Sequence, residues 1–285
     1  MRAERLTDSI CYHAEGPFWS ASWNGLRWVD LLAGDIMQLA ADGNAHRTAT
    51  GSPVVACVRP RLGGGAVLAV EKGFALQDPD GSIHLLPALW DAPVRMNEGA
   101  IAPDGSFLCG SMAYGATPGA AALWRLHADG TATRILEDLT ISNGLAFSAD
   151  GTRAFYVDTP TGRVDLFDWD AEAGLVERRP FADLAALGEA GHPDGLTLDA
   201  EGHVWVAMHS GHSVLGLDAS GAVIERIEVG ARQVTACAFG GEDLRTLFIT
   251  TSREGLAPED DPQAGSLFAV EPGVQGATSE RAFPG

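Results

Sequence analysis

The chain has 285 residues and a formal net charge of −19, from 19 Lys and Arg against 38 Asp and Glu. That field repels nucleic-acid phosphates and anionic lipid, and there is neither a basic stripe to override it nor a run of 18 apolar residues to span a bilayer, so neither is expected as a partner. With 46% apolar residues, 35 Gly and 15 Pro, the composition favours many short strands and turns around a sizeable core over long helices.

The N-terminal stretch Met1-Arg2-Ala3-Glu4-Arg5-Leu6 has no apolar region of the kind a signal peptide needs. Cys11, Cys57, Cys109 and Cys237 lie far apart, with no CxxC pair and each in or beside an apolar segment. They read as buried thiols in a reducing, cytoplasmic setting, not as a zinc knuckle.

Along the chain a short strand-like run recurs six times: Leu26-Arg27-Trp28-Val29-Asp30, Ala66-Val67-Leu68-Ala69-Val70, Ser106-Phe107-Leu108-Cys109-Gly110, Ala154-Phe155-Tyr156-Val157-Asp158, His203-Val204-Trp205-Val206-Ala207 and Leu247-Phe248-Ile249-Thr250-Thr251. The runs are roughly 40 to 50 residues apart, the spacing of propeller blades. In the fourth unit, Gly144-Leu145-Ala146-Phe147-Ser148 is an apolar strand, Asp150-Gly151 a hairpin turn, and residues 154–158 a second strand. Residues 163–169 alternate as a half-exposed strand does, and residues 175–181 supply a fourth. The fifth and third units repeat that order. No linker divides the chain, and residues 184–190 are too short for more than a loop turn. The expectation is one domain over 1–285: an all-β, six-bladed propeller with four antiparallel strands per blade. The chain opens on an inner strand at Glu15-Gly16-Pro17-Phe18 and ends after a third-strand pattern, Ser266-Leu267-Phe268-Ala269-Val270, so N- and C-terminal strands should close the ring together.

Aligning the units on their innermost strands puts Glu15, Glu98, Asn143 and Asp194 just before the first Gly of units one, three, four and five. The matching places in units two and six, near Ala56-Cys57 and Ala236-Cys237, are apolar. Inner strands line the central channel, so four oxygen-bearing side chains should meet at one mouth, and a divalent cation would relieve their mutual repulsion. Asp42-Gly43, Asp80-Gly81, Asp104-Gly105, Asp129-Gly130 and Asp150-Gly151 are expected to follow inner strands instead of opening them, and read only as turns. Loops between second and third strands should emerge at the same mouth; they carry Tyr114, Asp158, His209, His212, Arg253 and Glu254. The His209/His212 pair has no third ligand nearby and reads as pocket lining or solvent-exposed, not as zinc ligation. The sequence has no Gly-x-Ser-x-Gly elbow, and Gly63-Gly64-Gly65 lacks the Lys-Ser/Thr of a phosphate loop.

Six segments together resemble the regucalcin (senescence marker protein)/gluconolactonase/luciferin-regenerating enzyme family of six-bladed propellers: His13-Ala14-Glu15-Gly16-Pro17-Phe18-Trp19, Arg95-Met96-Asn97-Glu98-Gly99, Gly110-Ser111-Met112, Ser142-Asn143-Gly144-Leu145, Pro193-Asp194-Gly195-Leu196 with Trp205-Val206-Ala207, and Thr235-Ala236-Cys237-Ala238-Phe239-Gly240-Gly241. The resemblance implies a metal-dependent hydrolase opening sugar-acid lactones, with Glu15, Asn143 and Asp194 as metal ligands, Asp194 as general base, and Arg95 and Asn97 on the substrate. Glu98 stands where the family usually has Asp, between ligand and substrate contact. Tyr114 is a further substrate-binding candidate, because the acid that some members carry after Gly-Thr-Met is missing from Gly110-Ser111-Met112-Ala113-Tyr114. One divalent ion is implied, calcium or zinc first, with manganese, magnesium or iron(II) as alternatives. Hydrolysis of another ester on the same centre, or calcium-dependent regulation, are the competing functions. A monomer or small homo-oligomer is expected.

Overall fold

The computed structural model describes residues 1–40, 42–277 and 281–285. They form six four-stranded antiparallel sheets. The innermost strands, in blade order, are Ala14–Ser20, Val55–Pro60, Val94–Ile101, Ser142–Phe147, His192–Leu198 and Gln233–Gly240. Each packs against the next, and the sixth against the first, so the expected ring of six blades is formed. In blade 6 the inner strand pairs with Thr246–Ser252, then Phe268–Val270, and the outer place is taken by Glu4–Arg5 from the other end of the chain, with Glu4 opposite Ala269 and Arg5 opposite Phe268. Ring closure thus joins the two termini, as the strand pattern requires, and leaves no open sheet edge between the first and last blades. Residues 184–188 form turns.

Hydrophobic patterning explains the layering. Inner and second strands, such as Val55–Pro60 and Ala66–Val70, are buried along their whole length. Outer strands such as Ala132–Leu139 are mostly half-buried or exposed. Aromatic pairs tie neighbouring blades together: Phe74 to Phe107 at 5.6 Å between ring centroids, Trp205 to Phe239 at 6.0 Å, and Trp19 stacked on Phe248 at 6.2 Å.

Every inner strand carries a β-bulge near its start. In blade 3 the residues Asn97 and Glu98 fall between the paired Met96 and Gly99; in blade 4 Asn143 and Gly144 fall between Ser142 and Leu145; in blade 5 Asp194 and Gly195 fall between Pro193 and Leu196. An extra residue bends the strand and re-aims its side chain. Two glycines make this possible: a Cβ on Gly144 would overlap the carbonyl oxygen of Asp194, and one on Gly195 would run into the methyl of Ala236. Without side chains there, adjacent inner strands approach closely enough for their polar residues to converge.

The chain continues past its last strand onto the face where the inner strands end. Gly276 donates to Leu244 O at 2.8 Å and Ala277 to Leu198 O at 3.1 Å. Further on, Phe283 donates to Pro60 O and accepts from Leu62 N, both at 2.8 Å, and its ring is buried in the core shared by the first three blades. Phe283→Ala is therefore expected to lower the unfolding free energy in urea by about 3–5 kcal/mol, the range for deleting a buried aromatic ring. A loss below about 1 kcal/mol would mean that the tail is not an integral part of this core.

Candidate metal centre

Glu15, Asn143, Asp194 and Glu98 are 4–5% exposed, on four inner strands that converge on the channel. Asn143 donates its amide Nδ2 to Thr159 Oγ1 at 3.0 Å, and Thr159 donates in turn to Pro193 O at 3.0 Å. That uses one of the two amide N–H donors, and the Asn143 side chain also bears on the Asp194 carboxylate, where it opposes the rise in its pKa. Asn143 Oδ1 is buried with no hydrogen-bond partner, and so is Oδ1 of Asp194. Two orphaned buried acceptors beside a further carboxylate are costly unless a cation or donor meets them. Glu15 accepts from the Gly16 N–H at 3.2 Å, and its Oε1 lies 3.7 Å from Nε2 of the buried His13.

Burial, then the charges of Asp194 and Glu98, push Glu15 well above the ordinary carboxylate range. Burial, then Glu98, do the same to Asp194. Glu98 is also raised by burial, but the Arg59 guanidinium opposes the shift. Arg59 Nη2 reaches Glu98 Oε1 at 3.1 Å and Gly99 O at 2.6 Å, and its Nη1 reaches Val58 O at 2.8 Å. The buried axis therefore holds three carboxylates, one of them paired with Arg59. The residual charge of the other two suits a divalent cation, and an all-oxygen set of two carboxylates and one amide fits a hard ion. Among the described residues no three His, Cys, Asp or Glu side chains form a metal-holding group by themselves, so a cation here would need the amide oxygen of Asn143 as well.

Arg95 is buried beside the set, and burial lowers its pKa while Glu254, Glu15 and Asp194 act to raise it. It donates to Asn97 Oδ1 at 2.7 Å, and Asn97 Nδ2 donates to Ser142 O at 2.9 Å. Asn97 thus fixes Arg95 against the strand that presents Asn143. Tyr114 is exposed at the mouth, its hydroxyl donating to Glu71 at 2.8 Å. His209 is pushed down to about 4 by burial, then by His192 and Arg232, whereas His212 is exposed in a left-handed turn; the two do not form a ligand pair.

Asp158, expected to shape the pocket, instead turns its carboxylate onto the backbone, accepting from Thr140 N at 3.2 Å and Ile141 N at 2.8 Å. Asp30 does the same one half-turn around the ring, accepting from Tyr12 N at 3.0 Å and His13 N at 2.9 Å. Each clamps the chain just before a strand that carries a site residue. Arg59, Asp30, His13 and Glu71 are the residues that sequence reasoning passes over. The one available signal was a lone Arg in an otherwise apolar inner strand, Val55–Pro60. A hollow of about 440 Å3 also opens among Phe18, Trp19, Phe239 and Leu244, at the end of the channel away from this set.

The chain is thus a six-bladed propeller with buried acid and amide oxygens gathered on its axis. Residues 13–253 match the SMP-30/Gluconolactonase/LRE-like region, and the chain belongs to that family. The pentonolactonase XacC of Haloferax volcanii is 32% identical over 97% of this chain and 96% of its own length. A 6-deoxy-6-sulfogluconolactonase of Pseudomonas putida is 34% identical over 95% and 94%. The crystal structure of a calcium-binding protein, regucalcin, from Agrobacterium tumefaciens superposes with a TM-score of 0.90 at 28% identity, covering 99% of this chain and 96% of that one. The family therefore includes lactonases of sugar lactones as well as a calcium-binding protein.

The raised carboxylates make a stability prediction. Protonated Glu15 and Asp194 favour the cation-free fold below about pH 4, where the unfolded chain is protonated too, and that contribution is lost as pH rises through their raised folded values. The gain in melting temperature from a saturating divalent cation should accordingly be larger at pH 8 than at pH 5. In chelator at pH 8, Glu15→Gln and Asp194→Asn should melt above the parent chain. A cation increment independent of pH, or amide variants that melt lower, would remove the buried-carboxylate account.

Proposed function

We propose that the chain is a metal-dependent lactonase that opens sugar-acid lactones at the channel mouth. The observation that carries this reading is the pair of orphaned buried oxygens, Asn143 Oδ1 and Asp194 Oδ1, beside Glu15. Glu15, Asn143 and Asp194 would hold the ion, with calcium and zinc as first choices. When bound, a divalent cation supplies Lewis-acid polarisation of an ester carbonyl.

This chain's own residues account for the remaining steps. Asp194 takes a proton from the attacking water at a carboxylate oxygen. Water adds to the lactone carbonyl, the bond to the ring oxygen breaks, and that oxygen takes up a proton. The product is an open hydroxy acid, which ionises and releases one proton to solvent. Arg95, buried and already fixed by Asn97, hydrogen-bonds the oxyanion that develops on the carbonyl oxygen. With a divalent cation in place, Glu15, Asp194 and Arg95 sum to a slight positive charge, which favours that anion over the neutral substrate. Asn97 keeps an amide N–H for a substrate hydroxyl, and Glu98 acts through its ion pair with Arg59. The free, buried cysteines support a reducing, cytoplasmic setting.

Proton release in weak buffer tests the reading. Chelated protein would be offered a panel of aldonolactones, then calcium, zinc, manganese, magnesium and iron(II) in turn. Acid release above the spontaneous rate, restored by one ion, is the expected result; Asp194→Ala should lower it by about a thousandfold. Asn143→Ala should weaken metal binding by about a hundredfold while leaving the melt cooperative. Unchanged metal stoichiometry in Glu15→Ala would place the ion elsewhere. Metal binding without hydrolysis of any lactone or ester would favour the calcium-binding role borne by the regucalcin relative.

A further inference from the structure

Glu71 lies in the turn after the second strand of blade 2, Ala66–Val70. Its carbonyl oxygen accepts from Met96 N at 3.3 Å, so its backbone sits directly against the residue between Arg95 and Asn97. Its side-chain Oε1 accepts from the hydroxyl of Tyr114 at 2.8 Å. Tyr114 comes from blade 3, where its own N–H is held by Pro93 O at 3.1 Å. The adjacent Lys72 makes its direct bond to Asp91, Nζ to Oδ1 at 2.8 Å, and acts on Glu71 only at longer range. The second oxygen of Glu71 has no bonded donor among the described residues. The phenol is a neutral donor at all ordinary pH values, pushed up to about 12 by burial and by Glu71 itself. Beside Arg95 the mouth thus carries a carboxylate that is oriented by a phenol and has one oxygen without a bonded donor among the described residues.

We infer that Glu71, held in place by Tyr114, is a specificity-determining residue that accepts hydrogen bonds from the hydroxyls of a neutral polyhydroxylated lactone and turns away lactones with an anionic substituent at that end. The inference rests on the lactonase reading above and adds the substrate class. A carboxylate only accepts, so it matches a hydroxyl array and mismatches a second carboxylate, sulfonate or phosphate.

The test compares kcat/KM for a neutral hexonolactone with that for the same ring carrying a carboxylate at its terminal carbon, using metal-loaded protein. The parent chain should prefer the neutral substrate. Glu71→Gln should shrink that preference by about tenfold, mainly through KM, because a charge-assisted contact and a like-charge repulsion are lost together. Glu71→Lys should reverse it, and Tyr114→Phe should fall between the parent and Glu71→Gln. Active variants with an unchanged preference would overturn this inference alone. Parent protein that binds metal but opens neither lactone would overturn the lactonase reading and this inference with it.

Discussion

Like charges buried on one axis are the constraint around which this molecule is arranged. Glu15, Glu98 and Asp194 are removed from water within one narrow channel, where the low dielectric strengthens repulsion and withdraws hydration at the same time. The fold relieves one of the three by sending Arg59 across from blade 2 to Glu98, with further bonds to the carbonyls of Val58 and Gly99. The other two are left in tension. Such an arrangement is unfavourable for a merely structural core and well suited to holding a cation, because the ion recovers what burial has cost.

Backbone geometry makes the convergence possible. A regular strand would present alternate residues to the channel and to the blade, with neighbouring strands held apart by their side chains. Bulges in all six inner strands break that alternation at one level of the ring. Asp30 and Asp158 then clamp the preceding backbone on opposite sides, so Glu15 and Asn143 are positioned by hydrogen bonds outside the site itself. The precision of the centre belongs to rigid sheet and not to its loops.

Much of this is legible in the sequence because a propeller repeats its grammar. Once the hairpin turns set the phase, Glu15, Glu98, Asn143 and Asp194 stand out as the polar residues that open inner strands, and the fold follows from the same count. What stays hidden depends on contacts between blades. Arg59 lies between Val58 and Pro60 with nothing local to pair it with Glu98. Glu71 and Tyr114 are separated by a whole blade repeat, and only the ring brings the carboxylate to the phenol. Asp158 sits in the right place for a pocket residue, but two nearby N–H groups claim its carboxylate, and sequence carries no measure of that competition.

Closure through Glu4–Arg5 gives the molecule an arrow in time. On the ribosome the first strand emerges early and has no sheet to join until Phe268–Val270 has been made. The blades can form one by one, since each is a local meander, but the circle that brings the first blade's Glu15 round to the fifth blade's Asp194 waits for the last. Nascent chains therefore hold these oxygens apart, and the buried set is assembled only when the last blade closes the ring.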